Sequence, residues 1–124
     1  MTVMLRELYH FLRELNSNVE LSGEELRISY DEVPVWLIVK PANSGIYVSL
    51  RLGEDLRSYL EEAAWSDQNI EEVVNEVLEY FSEVALRIRK WGEKRNIVTV
   101  FNLHENIVRI QEIVEDIVED ISGE

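Results

Sequence analysis

The chain has no cysteine. That absence removes disulfide scaffolds, zinc ribbons, cysteine-ligated iron–sulfur clusters and thiol nucleophiles together. Glycine and proline are sparse, five and two residues. Neither a Walker pattern nor a dinucleotide fingerprint forms around the glycines, so no phosphate-cradling loop is expected. Histidine occurs twice, at His10 and His104. His104-Glu105 opens like a zinc-protease helix, but Val108 stands where the second histidine belongs. No serine sits in a nucleophile elbow. Paired acids such as Glu71-Glu72 and Glu119-Asp120 point in different directions on a helix, whereas general acid–base work needs two carboxylates across a cleft. The chain is therefore expected to be no enzyme, with no catalytic, metal-ligating or cofactor-binding residue and no cofactor. No stretch approaches the roughly 18 apolar residues of a membrane span. The start, Met-Thr-Val-Met-Leu-Arg-Glu, brings charge in too early for a signal peptide. A cytoplasmic protein with no membrane partner is expected.

Positive charge is the other scarcity. Lys and Arg number 12 against 25 Asp and Glu, a net charge of −13. A field of that sign repels phosphate backbones, which disfavours nucleic acid as a partner and favours a basic protein. The charges are also segregated. Residues 61–83 carry eight acids and no base, and Arg87, Arg89, Lys90, Lys94 and Arg95 follow. Acids early and bases late complement a helix dipole, which explains the segregation without a binding site. An anion or acidic-partner site on the basic cluster is the alternative. Zero Cys and many Glu, Ile, Val and Arg lean toward a thermophile source.

What is present is amphipathic pattern. At 124 residues the chain is expected to form a single α+β domain, 1–124. Leu5, Leu8, Leu12 and Leu15 mark a helix over 3–16, broken by Asn16-Ser17-Asn18. Strands are expected at 26–30, 35–39 and 46–52, joined by turns too short for anything but an antiparallel meander. Residues 35–39, apolar on both faces, suit a central, doubly covered strand. Helices follow at 54–64 and from about 67 to Trp91, the second capped by Ser66 or Asp67 and stopped by Gly92. A fourth strand, 97–101, precedes a last helix capped by Asn102, with Glu105 placed as in a capping box. The order is α-β-β-β-α-α-β-α, an antiparallel meander of about four strands packed by amphipathic helices.

The last helix carries a seam of Leu103, Ile107, Ile110, Val114, Ile117 and Ile121 at gaps of four and three. β-Branched residues give it little intrinsic propensity, and its acidic C-terminal end opposes the dipole, so it is expected to need burial. Three helices carry such seams, and one four-stranded sheet can cover about two of them. The seam is expected to dock inside the chain's own core, at a homodimer interface or on a client protein; of the three stripes it is the first candidate to be left over for a homodimer interface. Tyr30, Trp36 and Tyr47 are candidates for an aromatic sheet face that receives a partner.

From Leu5 to Ile121 the layout of leading helix, meander, helix, strand and closing amphipathic helix, together with the acidity, resembles the type III secretion chaperone-like fold. The resemblance implies a small dimer that binds extended segments of other proteins; it assigns a role to no residue. The expected function is a non-enzymatic, homodimeric protein-binding domain, adaptor-like or chaperone-like, that docks apolar surface within an acidic frame favouring basic partners. An acidic inhibitor that mimics nucleic acid and a small enzyme whose site is not readable from sequence are the alternatives.

Overall fold

The computed structural model describes residues 3–15 and 18–123. Among these residues, four helices and five strands run in the order α1 (Val3–Glu14), β1 (Val19–Ser22), β2 (Glu25–Ser29), β3 (Val35–Ala42), β4 (Gly45–Leu52), α2 (Leu56–Trp65), α3 (Ile70–Lys94), β5 (Val98–Asn102) and α4 (His104–Ser122). One sheet holds the strands in sequence order, β1-β2-β3-β4-β5. β1 through β4 form the expected antiparallel meander. β5 differs: it returns parallel to β4, with α2 and α3 filling the crossover that a parallel connection requires. The sheet is thus mixed and has one strand more than the sequence pattern predicts. The extra strand, β1, has four residues, too few for alternation to stand out against the adjoining Ser22-Gly23 turn. Of the Asn16-Ser17-Asn18 break, residues 16 and 17 lie outside the described ones.

The pleat sorts every strand residue to one of two faces. Val19, Leu26, Ile28, Leu37, Val39, Ile46, Val48 and Leu50 face the helices and are buried. They join a single core with Leu5, Leu8 and Leu12 of α1, Leu56 and Leu60 of α2, the inner stripe of α3 from Ile70 to Trp91, and Ile110, Val114 and Ile117 of α4. All four helices therefore lie on one side of the sheet. The opposite face carries Glu25, Arg27, Trp36, Ile38, Lys40, Tyr47, Ser49, Arg51, Val98 and Val100, and no helix covers it among the described residues. β3 is central but is not doubly covered. Ile38 is only 1% exposed on the open face, where Arg27 and Ser49 flank it across the strands.

Several helix ends depart from the expected chemistry. α3 begins at Ile70, where the Asn69 side chain accepts from the Glu71 and Glu72 amides; Asp67 instead takes a left-handed φ of 64°. Gly92 does not stop α3, which runs on to Lys94. Its missing side chain serves packing: a Cβ there would lie 2.8 Å from Thr99 Cγ2 and 3.2 Å from the Ile97 carbonyl oxygen. The left-handed residue after the helix is Asn96, at φ 56°. Asn102 belongs to β5 rather than to the cap of α4; Leu103 holds the N-cap position without a side-chain hydrogen bond. The Asn102 side chain donates to the Tyr47 hydroxyl at 2.9 Å instead.

Candidate interaction surfaces

The stripe on α4 divides between core and surface. Ile110, Val114 and Ile117 are 1%, 7% and 2% exposed in the chain's own core. Leu103 and Ile107 are half-buried against the same core, and Ile121 is 39% exposed. The centre of the seam is thus occupied within one copy of the chain, and only its last residue is freely presented.

The three aromatics also separate. Tyr30 lies just beyond β2 on the helix side, its ring 5.0 Å from that of Tyr80 on α3. Trp36 and Tyr47 share the open face but stand in different rows, opposite Arg51 and Lys40 respectively. Arg27 lies over the Trp36 ring at 5.6 Å. Glu25 anchors the charges of this face. Its carboxylate accepts from Arg51 Nη1 at 2.8 Å and Nη2 at 3.1 Å, with Arg27 at 3.5 Å and Lys40 at 4.0 Å. The Arg51 hydrogen bonds hold the Glu25 carboxyl below its ordinary range, against an opposing push from partial burial. Arg51 is raised in turn, first by the same hydrogen bond. A bidentate arginine–carboxylate pair fixes geometry as well as charge, so this half of the face is tied down.

The other half of the face is bare. Tyr47 sits opposite Val100 of β5, and Val98 lies two residues further along the strand. Val98 and Val100 are 56% and 47% exposed, and Thr99 and Phe101 on the helix side are only half-buried. The outer edge of β5 has no strand partner among the described residues. The far edge of the sheet is treated differently: β1 is short, carries Glu20 and lies against α1. Short, charged or covered edges are the usual protection against strand pairing. β5 is one residue longer and lies against α3 on its inner face, but it carries no charge: residues 96–103 hold none in a chain that is 30% charged. That uncharged run is legible in the sequence, although its position at an edge is not.

A second concavity lies on the helical side. α3 and α4 diverge to leave an open groove of about 480 Å³. Val74, Val114 and Val118 form its floor, and Glu71, Glu115 and Glu119 line its rims. Past Val118 it continues into a hollow of about 310 Å³ bordered by Ala64, Asp67 and Ile121. Among the described residues no base lines either concavity. The two flanks of α4 are unequal in this respect. On the side toward α2, Arg57 reaches Asp116 at 3.5 Å and Asp120 at 3.6 Å.

Among the described residues no group of three or more His, Asp or Glu is arranged to hold a metal ion. His10 and His104 are both exposed and far apart in the fold, on α1 and at the start of α4. Within the basic cluster, Arg89 pairs with Glu93 at 3.1 Å, and Arg95 donates to the Trp91 carbonyl while lying 4.6 Å over its ring. No helix among the described residues is long and apolar enough to cross a membrane. No protein-family model matches the chain, and no curated protein or solved structure matches it.

Proposed function

We propose that this chain is a non-enzymatic protein-binding domain, adaptor-like or chaperone-like, that works as a homodimer. The observation that carries the reading is β5: an unpaired and uncharged edge strand with two exposed valines beside an open sheet face. An exposed edge of this kind gains main-chain hydrogen bonds by accepting another strand. Self-pairing suits it. In an antiparallel β5–β5 contact about a two-fold axis, Val100 faces its own copy and the ends of the strand are exchanged. Lys94 and Arg95 precede β5 and Glu105 follows it, so the basic end of one strand meets the acidic end of the other. Two five-stranded sheets then join into one, and the exposed valines gain cross-strand neighbours.

Sedimentation velocity tests this directly. The expected species has twice the 14.6 kDa chain mass, and Val100→Lys shifts it to monomer with an unchanged circular dichroism spectrum. A parent chain that stays monomeric over the accessible concentration range sinks the dimer, and a dimer untouched by Val100→Lys moves it away from β5.

A further inference from the structure

We infer that the groove between α3 and α4 receives a basic, amphipathic segment of a partner protein, with Lys or Arg against the rims and aliphatic side chains on the floor. This rests on the reading of the chain as a protein-binding domain and not on its being a dimer. The imbalance of α4 carries the argument. Its outer acids, Asp116 and Asp120, are answered by Arg57 from within the chain. Its groove-side acids, Glu115 and Glu119, face Glu71 across the groove, and among the described residues no base lines the space between them. Glu119 also stands in the last turn of the helix, where the macrodipole opposes negative charge. Glu71 is different, since the first turn of α3 favours it. A cation seated between the rims relieves both the mutual repulsion and the dipole conflict.

Charge alone would attract any polycation, and the floor is what narrows the class. Val118 is half-buried and supplies most of the aliphatic surface at the bottom of the concavity of about 480 Å³, while Val74 and Val114, 6% and 7% exposed, back it from the core. Glu115 and Glu119 lie one turn apart, about 6 Å along the axis. That interval matches cations at i and i+4 on a helical ligand, whose intervening apolar stripe then meets the valines. The stretch from Gln111 to Ile121 is about 15 Å long, room for some three turns of helix.

The probe is a synthetic helical peptide with a lysine face and a leucine face, compared with an analogue in which serine replaces every leucine. Calorimetry reads affinity and amide NMR reads location, at about 0.15 M ionic strength so that long-range attraction is screened. Expected is saturable one-to-one binding of the leucine peptide, weak or absent binding of the serine analogue, and shifts concentrated at residues 70–75 and 111–121. Glu115→Lys with Glu119→Lys should weaken binding about tenfold, the sum of two exposed charge reversals. The control pair Glu79→Lys with Glu83→Lys makes the same change of net charge on exposed positions of α3 outside the groove and should leave affinity within about twofold. If the lysine variants lose helical signal, Glu115→Gln with Glu119→Gln provides the same comparison. Equal weakening by both pairs, equal binding of the serine analogue, or shifts confined to the open sheet face overturns the inference. Sedimentation separates the two proposals: a dimer with an inert groove leaves the proposed function standing, and a monomer that binds the leucine peptide here removes only the β5 contact.

Discussion

Glu25 is the residue on which the charged half of the open face turns. Its carboxyl is held below 4.5, so the unfolded chain takes up that proton before the folded chain does. The stabilisation is therefore full above the unfolded value and fades as pH falls through the folded one. Replacement by Gln is expected to cost about 1 kcal/mol at neutral pH, the low end for a charged hydrogen bond because Arg51 is 39% exposed. The same variant should flatten the loss of stability in acid, and urea unfolding above and below pH 4.5 measures both effects. Gly45 makes a different demand. A Cβ at that position would run into the Val98 carbonyl oxygen, so β5 approaches β4 only because the side chain is missing. Gly45→Ala should destabilise the chain by roughly 2–3 kcal/mol, as overpacking against backbone does, and amide exchange should quicken first at 98–102. Neither effect is legible in the residue itself. Glu25 is one acid in a pair and Gly45 one glycine in a turn until the strand register sets their neighbours.

Among the elements, α4 shows most clearly what periodicity conveys and what it leaves open. The four-and-three spacing of its seam predicts a helix with one buried stripe, and Ile110, Val114 and Ile117 are buried. What buries them is the sheet and the neighbouring helices of the same chain, and a period of 3.6 is indifferent to that choice. Ile117→Ala is accordingly expected to cost about 2–4 kcal/mol in chemical denaturation. Ile110→Glu with Ile117→Glu should unfold the chain outright, because each would bury an unpaired charge; retention of a folded state would place the stripe on a surface. Asn106 ties the same helix down. Its side-chain amide donates to the Leu50 carbonyl, beyond the last residue of β4 that β5 pairs with. The helix ends depart from their local signals for related reasons. Gly92 has the sequence signature of a stop, but its role is close packing on Thr99, and Asn102 resembles a cap until β5 claims it. Local signals compete, and tertiary contacts decide between them.

In the molecule as a whole, all four described helices lie on one side of the sheet, and the outer edge of β5 has no strand partner among the described residues. If β5 pairs with its own copy, folding and association are linked, and the melting temperature should rise with protein concentration. The absence of cysteine makes a covalent test clean: Val100→Cys should give a disulfide-linked dimer under mild oxidation, whereas Glu62→Cys, exposed on α2, should not. The sequence by itself determined the α+β class, the meander, the four amphipathic helices and the acidity, because these follow from local periodicity and composition. It also held the neutral run at 96–103 without marking it as an edge. Long-range packing sets the parallel return of β5 beside β4, the separation of Tyr30 from Trp36 and Tyr47, and the burial of the centre of the α4 seam in the chain's own core. It alone brought Glu71 across from Glu115 and Glu119. Each of these depends on which faces meet across dozens of residues, and a helical or strand period fixes a face without naming its partner.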